Sequence, residues 1–342
     1  MNDIQNFSIL DFKKIINKLF FIIGIGLLAH LIFILTTTGG ETFSLIEKMN
    51  LWYIVPITFF AMGPWLGHTL RVMLWSHFVK EAVSFKDAFS IILANDIGSA
   101  VAPASVGGGP IKLGMLISKG MSAPKATFLV LLSTTEDLVF YAVGILVAFY
   151  YIGNQMSIID GLMGGLGPLF IIVLIFTLMF LFSSKIRSRF FQFINFVFRS
   201  RWKNKLDKWE AKLNHYFSDI KDAYIAILKE GKMRLLLSIG LLFFQWFSKF
   251  TIFILILKSL DIPFDMIQTY IKQWIIFITT LLIPTPGGSG GAEAGFLLMF
   301  KDQLGGPLSK VLVTTWRFFS YYFILILSVI LFNILNKSLL KK

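Results

Sequence analysis

Residues 284–295 read PTPGGSGGAEAG and interrupt a strongly apolar part of the chain with two prolines, five glycines and one carboxylate. A backbone this irregular leaves N–H and C=O groups without helical partners, so at membrane depth it must be buried in protein or line a wet cavity. A second break, residues 103–110, reads PASVGGGP. Because discontinuous helices in matching positions of two halves are typical of transporter binding sites, the two breaks together predict a transport function.

The composition indicates a polytopic membrane protein of the all-α class. Hydrophobic residues make up 56% of the 342 residues, and the mean hydropathy is +0.75. The net charge is +13, and the basic residues flank apolar segments. This arrangement favours loops that face anionic lipid over a nucleic-acid partner. Cysteine is absent, which excludes disulfides, thiolate catalysis and cysteine metal sites. We therefore expect no nucleic acid, metal or cofactor to bind.

Six apolar segments are long enough to cross a bilayer. They are Leu19–Thr37, Leu51–Leu74, Ala126–Tyr150, Leu162–Phe182, Leu235–Leu257 and Leu308–Asn336. The segments that contain the breaks are shorter on each side, and each predicts a re-entrant helical hairpin, over 88–118 and 266–300. The first span carries no small-residue cleavage pattern and is interpreted as a retained helix. The distribution of lysine and arginine places both termini in the cytoplasm.

The order of these elements predicts an inverted-topology repeat. Each half has a span, a hairpin and a span with a buried charge, and every direction is reversed in the second half. The spacing supports the match, because Gly109 and Glu136 are 27 positions apart and Gly291 and Arg317 are 26 apart. The domains are a first transmembrane half at 1–183, a connector at 184–234 and a second transmembrane half at 235–342.

The connector is strongly basic, with thirteen lysines and arginines against five carboxylates. It is therefore predicted to be cytoplasmic. Its first part alternates basic residues with phenylalanines, which is typical of an amphipathic helix lying on anionic headgroups. An ordinary connector that obeys the positive-inside rule fits the same pattern equally well.

Ionisable side chains within the spans are the main candidates for chemistry. Glu136 and Asp137 lie about ten residues into a span, where an ionised group costs several kcal/mol unless it is paired or wet. Arg317, at the equivalent depth of the other half, is the first candidate for their partner. Further candidates are Arg71, Lys112 and Lys249. Such a pair can be structural, but a membrane location favours a functional role.

Three charges, Lys112 among them, lie in the hairpins. Asp96 and Glu293 could bind protons or cations, or could cap a helix N-terminus, and capping is favoured for Glu293 because it follows a glycine turn. Lys112 begins the returning half of the first hairpin beside backbone N–H groups, which suits a phosphate. The alternative for Lys112 is an ammonium group that snorkels to the cytoplasmic interface.

The glycines of both breaks also admit two interpretations. Backbone N–H groups at Gly108, Gly109, Gly287 and Gly288 could bind phosphate, or the glycines could let two hairpins pack closely. Neither break contains the Gly-Lys-Ser/Thr ending of an ATP-binding P-loop, so transport driven directly by ATP is not expected. The four histidines have no metal-ligand spacing, and no catalytic triad or zinc motif is visible.

These motifs together resemble the transmembrane flippase domain of lysylphosphatidylglycerol synthases. The residues that carry the resemblance are SVGGGPIKLGML at 105–116, Glu136-Asp137, PTPGGSGGAE at 284–293 and Trp316-Arg317. In that family the membrane domain moves an aminoacylated lipid between leaflets, and a following soluble domain transfers the aminoacyl group from tRNA. The present chain ends six residues past Asn336. The resemblance therefore implies a stand-alone membrane domain, without the transferase.

The resemblance also assigns individual positions. Those on the family's characteristic pattern are Pro103, Gly108, Gly109, Lys112, Glu136, Pro286, Gly287, Gly288, Glu293 and Arg317. Lys112 stands where arginine is expected, which keeps the charge but loses bidentate phosphate geometry.

The sequence thus predicts a lipid translocase with six spans and two re-entrant hairpins, in the cytoplasmic membrane of a bacterium or archaeon. Its substrate would be a phospholipid, an aminoacyl-phospholipid or a lipid-linked sugar with an anionic or phosphate-bearing headgroup. Predicted substrate-binding residues are Arg71, Lys112, Glu136, Asp137, Arg317, Gly108, Gly109, Gly287 and Gly288. Predicted coupling or structural residues are Asp96, Lys249, Glu293, Pro103 and Pro286. The alternatives are a lipid-modifying enzyme of the phosphatidylglycerol lysyltransferase type, or a subunit of one, and a scaffold that recruits a partner through the connector. A homodimer is left open.

Overall fold

A computed structural model describes residues 47–102, 107–152, 183–197, 217–218, 221–282, 287–288, 290–304 and 306–336, with isolated positions 172, 175, 179 and 285. The regular structure of these residues is helical and contains no strand, so the predicted all-α class is confirmed. The chain divides into two compact units, residues 1–121 with 238–342, and residues 122–237.

The helices of the described residues are numbered here in chain order. In order they are α1 (Ile54–Phe78), α2 (Phe85–Val101), α3 (Gly108–Ser118), α4 (Ala123–Ile152), α5 (Ser184–Val197), α6 (Lys232–Ser259), α7 (Met266–Leu282), α8 (Gly291–Leu304), α9 (Gly306–Arg317) and α10 (Phe323–Leu335). A 3-10 turn, Leu51–Tyr53, precedes α1, and a π-helical turn, Phe318–Tyr322, joins α9 to α10. Residues 221–230 are also helical.

Both predicted breaks separate two helices that pack against each other, α2 with α3 and α7 with α8. The chain therefore forms two helical hairpins at the predicted places, although their position in a membrane stays a prediction. One boundary differs from the expectation, because α3 begins at Gly108 rather than at Ile111. The glycines occupy its first turn. Pro110 is tolerated there because a backbone N–H at this position, which proline lacks, would have no partner within the helix.

Three helices of the described part are long and apolar enough to cross a membrane, at Ala123–Ala148, Lys232–Ser259 and Leu308–Leu335. They coincide with three of the predicted spans. The predicted span Leu51–Leu74 is helical, as the 3-10 turn and α1, but α1 is not among these three apolar helices. Other predictions fall outside the described residues. These are the span Leu19–Thr37, nearly all of the span Leu162–Phe182, and the residues Pro103 and Pro286.

In the first unit, α1 and α6 lie side by side and run in opposite directions. At one end the Asn50 N–H donates to the Ser259 carbonyl over 2.9 Å. At the other end the Trp75 indole N–H donates to the Ser238 hydroxyl over 3.0 Å. Since residue numbers rise along one helix as they fall along the other, the two helices that precede the hairpins are antiparallel.

The helices α2 and α10 are related in the same way. The Asn336 amide at the end of α10 donates to the Ser90 hydroxyl near the start of α2 over 2.6 Å. The Tyr321 hydroxyl, just before α10, donates to the Ala100 carbonyl near the end of α2 over 3.4 Å. The first hairpin therefore packs against the last helix of the chain along most of the length of α2.

The second unit is built on α4. Tyr224, from the helical residues 221–230, bonds the Thr135 hydroxyl over 2.9 Å and meets the Phe128 ring edge to face. Arg187 of α5 is buried and stacks over Phe217 at 4.9 Å. The connector therefore packs on protein through these residues, and its later part reaches the middle of α4. The position of its first part on headgroups stays a prediction.

Candidate functional site

The tip of the second hairpin is fastened to α9 by a buried ion pair. The Arg317 Nε donates to Glu293 Oε1 over 2.8 Å, and its Nη2 donates to the Gly287 carbonyl over 2.7 Å. The other Glu293 oxygen accepts the Gly290 N–H over 2.6 Å. We call these four residues the Arg317 clasp. A glutamate in the first turn that accepts the N-cap N–H is half of a capping box, so the favoured capping role of Glu293 is confirmed.

The glycines of this tip are required by its backbone and by its neighbours. Gly287, Gly288 and Gly290 have φ values of +60°, +65° and +83°, which side-chain-bearing residues rarely adopt. A Cβ at Gly287 would collide with the Tyr321 hydroxyl, and one at Gly288 would lie 3.1 Å from Thr280 Cβ. Conformation and close packing therefore both account for glycine here.

Tyr321 lies between the two hairpin tips. Its hydroxyl reaches the Ala100 carbonyl at the end of α2, while the Arg317 guanidinium carbon lies 4.3 Å from its ring centre. The hydroxyl also limits the space at Gly287 in the second tip. The two sequence breaks, which are almost 180 residues apart, therefore meet at one side chain.

The first hairpin is closed by backbone approach. A Cβ at Gly98 would lie 3.0 Å from the Gly107 carbonyl, and one at Gly108 would lie 2.8 Å from the Asn95 carbonyl and would clash with Ser99. Gly109 follows in the first turn of α3. Small residues thus let α2 and α3 touch, as the close-packing interpretation of the glycines expects.

The polar side chains of the first hairpin bond to α1. The Trp65 indole N–H donates to Asp96 Oδ2 over 2.8 Å, and the Asn95 amide donates to Asp96 Oδ1 over 3.2 Å. The Lys112 ammonium lies 3.0 Å from His68 Nε2. Lys112 is only 2% exposed, so the snorkelling alternative is wrong for the described structure.

Two more cations lie near the contact between α1 and α6. Arg71, 1% exposed, donates to the Gln245 amide oxygen over 3.2 Å. Lys249, one helical turn after Gln245, lies 4.2 Å above the Phe277 ring and 5.1 Å from that of Trp246. The charges of Lys249 and Lys112 both act on Asp96. We call Arg71, Lys112, Lys249, Asp96 and His68 the α1 polar cluster.

Glu136 and Asp137 belong to the other unit, on α4. Glu136 is 8% exposed and Asp137 is half-buried, and the neighbouring Thr135 bonds Tyr224. Arg317 bonds Glu293 of its own unit, and the pairing of Glu136 with Arg317 stays a prediction. The chain turns back between α8 and α9, which brings Glu293 and Arg317 together although they are 24 positions apart.

Sequence reasoning missed two residues of the site, His68 and Tyr321. His68 was considered only as a metal ligand, whereas its spacing of three positions from both Trp65 and Arg71 puts all three on one broad side of α1. Tyr321 had no distinguishing sequence signal beyond its place four residues after Arg317. No group of three or more His, Cys, Asp or Glu side chains that could hold a metal occurs within the part of the chain that the structure describes.

Comparison with known proteins gives two matches. Residues 21–328 match the family model described as the lysylphosphatidylglycerol synthase TM region. A UPF0104 membrane protein from Archaeoglobus fulgidus is 25% identical over 292 residues, which cover 84% of this chain and 87% of that protein. No solved structure gives a significant match.

Proposed function

The chain belongs to the lysylphosphatidylglycerol synthase transmembrane-region family, and we propose that it is a translocase that moves a phosphate-bearing lipid between membrane leaflets. The observation that carries this proposal is the meeting of both broken hairpins at Tyr321. Irregular backbone at membrane depth is tolerated only where it is buried in protein or lines a cavity. Two such tips, beside buried cations, form the kind of central site that a translocase needs.

Alternating access is supported by the directions of the helices. The helices α1 and α6 hold equivalent places before their hairpins, and they are antiparallel. This is the relation that an inverted-topology repeat requires, whereas a repeat about an axis along the membrane normal would make equivalent helices parallel. On this basis the hairpins enter from opposite faces, and the lipid is reached from each side in turn.

The α1 polar cluster is the proposed headgroup site. Arg71 and Lys112 are buried cations from two different helices, and Lys249 adds a third from α6. Phosphate oxygens are natural acceptors for such groups, and the N–H groups of the first turn of α3, at Gly108 and Gly109, add partial positive charge nearby. The acyl chains would remain in lipid while the headgroup occupies the site.

The remaining predicted residues are given different roles. Arg317 and Glu293 are proposed to hold the second tip in shape, because their hydrogen bonds run to each other and to the tip backbone. The charge-balancing role of Glu136 and Asp137, which lie in the other unit, stays a prediction from sequence.

The helix α5 is proposed to rest on anionic lipid. It exposes Phe190 and Phe193, the latter 63% exposed, beside the exposed basic residues Lys185 and Arg189. Apolar rings next to cations are the surface expected at a headgroup boundary. This arrangement would keep the connector on the cytoplasmic face.

Leaflet exchange in liposomes tests the translocase directly. Purified protein is reconstituted with trace fluorescent phospholipid, and the outer-leaflet dye is quenched by an impermeant reductant. We expect quenching beyond the outer-leaflet fraction, and its loss in Lys112→Met and Arg71→Gln. Lys258→Gln, an exposed lysine in the last turn of α6, is the matched control and should exchange like the parent.

The same vesicles distinguish the alternatives. Absence of exchange for every phospholipid tried, together with a new lipid product on thin-layer chromatography, would establish a lipid-modifying enzyme instead. Exchange that survives Lys112→Met and Arg71→Gln would remove the α1 polar cluster from the proposal.

A further inference from the structure

The contact between Lys112 and His68 joins two basic nitrogens at 3.0 Å. A hydrogen bond at this distance needs one lone pair, and a protonated lysine offers none. Either a neutral imidazole accepts from the ammonium, or a protonated imidazole donates to a neutral amine. The hydrogen bond therefore limits the pair to at most one positive charge.

The surroundings oppose a second proton on this pair. Lys112 from α3 and Arg71 from α1 are the charged groups that act on the ring. Of the other elements that contact α1, α2 contributes Asp96, which is already bonded by Trp65 and Asn95, and α6 contributes Lys249. The π-helical turn contributes Tyr321 and Tyr322, with the Arg317–Glu293 ion pair beside them. Around His68 the named charges are thus mainly positive.

A phosphate group would reverse this balance. Its oxygens would accept from the Lys112 ammonium and would also offer an acceptor to a protonated imidazole. Two cations that would otherwise repel each other would then share an anion.

We propose that His68 takes up one proton from water when a lipid phosphate engages Lys112, and releases it when the lipid leaves. The inference rests on the proposed function and adds proton coupling to it. The proton offsets the single negative charge of the phosphodiester, so the site carries the same net charge with and without the lipid. By linkage, each ligand strengthens the binding of the other, so acidic conditions tighten phosphate binding.

Proton uptake on binding tests this in the full chain, in detergent and weak buffer with a pH-indicator dye. The probe is dioctanoyl-phosphatidylglycerol, and dioctanoylglycerol, which lacks phosphate, is the reference. Near neutral pH we expect about one proton per bound phospholipid and none with the reference. Binding is measured in the same samples by equilibrium dialysis.

His68→Gln keeps an acceptor for Lys112 but cannot titrate. It should bind the phospholipid without proton uptake, and its affinity should no longer change with pH, whereas the parent gains up to about tenfold per pH unit. His68→Asn repeats the test should Gln disturb folding. His77→Gln removes an exposed histidine from the same helix and should behave like the parent.

Each outcome decides between the two proposals. Parent protein that binds phospholipid without proton uptake, or uptake that persists in both His68 variants, overturns the coupling. No binding of the phospholipid overturns the phosphate site itself. Proton-linked binding without leaflet exchange in liposomes would retain the coupling and remove the translocase.

Discussion

The two hairpins of this chain share one design but are fixed in different ways. The second tip is held by the Arg317 clasp, a buried ion pair whose oxygens and nitrogens also bind the tip backbone. The first tip is held by contact between backbones at Gly98, Gly107 and Gly108, while its charged residues reach out to α1.

Under the proposed function, this difference separates charges that hold the fold from charges that we propose to bind the headgroup. Where a charge is bonded to the hairpin it shapes, as Arg317 is, it has little freedom to follow a substrate. Where charges also bond a neighbouring helix, as Asp96 and Lys112 bond α1, an arriving headgroup can exchange those contacts for its own. The first hairpin is therefore expected to move or rebond during transport, and the second to serve as its fixed counterpart.

The largest effect is expected from breaking the clasp. Glu293→Gln leaves the buried Arg317 charge without its carboxylate, which costs about 3–5 kcal/mol of stability. Arg317→Gln leaves Glu293, which is partly exposed, and should cost less. Thermal unfolding in detergent, followed by tryptophan fluorescence, measures the loss. The double variant should cost less than the sum of the two. Additive losses would mean that the two side chains do not act as a pair, and Lys258→Gln is the control for removing a cation.

A smaller loss is expected from the link between the first hairpin and α1. Trp65→Phe keeps the aromatic packing but removes the indole N–H from Asp96, and a hydrogen bond to a charged group contributes about 1.5–3 kcal/mol. The same unfolding measurement applies. Trp75→Phe, which removes a bond to the neutral Ser238 hydroxyl, is the matched comparison and should lose about 0.5–1.5 kcal/mol. Equal losses would argue against a charged Asp96.

The backbone contact of the first hairpin can be tested with a pair of glycines on α3. Gly108→Ala places a methyl group against Ser99 and the Asn95 carbonyl, and overpacking of this kind costs about 1–3 kcal/mol. Gly114 has open space at its Cβ position, so Gly114→Ala should stabilise by about 0.5–1 kcal/mol. Two variants that shift the melting temperature in the same direction would contradict close contact at Gly108.

The smallest effect is expected at the base of the first hairpin. Asp87 bonds Lys119 over 2.6 Å and Ser84 over 2.7 Å. Both hydrogen bonds lower the pKa of the Asp87 carboxyl group, and the bond from Lys119 has the larger effect. A lowered folded-state pKa stabilises the fold above the unfolded-state pKa of about 3.9, and the gain is lost as pH falls through the folded-state value.

Because Asp87 is partly exposed, the gain is about 0.2–1 kcal/mol. Asp87→Asn should therefore melt slightly below the parent at pH 7, and the gap should close below about pH 4. A gap that widens in acid would reverse the assigned sign. Asp222→Asn, at an exposed carboxylate of the other unit, controls for the general effect of losing a negative charge.

Much of this arrangement could be predicted from sequence because its signals are local. Proline and glycine mark both breaks, and the short apolar segments beside them require hairpins. The capping role of Glu293 follows from its distance to a glycine turn. The partner of Arg317 could not be predicted, because it depends on how the chain turns back between α8 and α9. His68 was missed for a similar reason, since its neighbour Lys112 comes from another helix and no spacing rule connects them.

The π-helical turn after Arg317 gives the last span two different orientations. Before the turn, α9 packs against α8. After the turn, α10 packs against α2. A π turn takes one more residue than an α turn for nearly the same rotation, so the stripe of residues that faces a given side shifts by one position, about 100° of an α-helix, after the turn. One continuous helix can therefore present one stripe to the second hairpin and another to the first. Deleting one residue from 318–322 would convert the turn to a regular α-helix and leave Asn336 facing Ser90, whereas deleting one residue of α10 would rotate Asn336 away by about 100°.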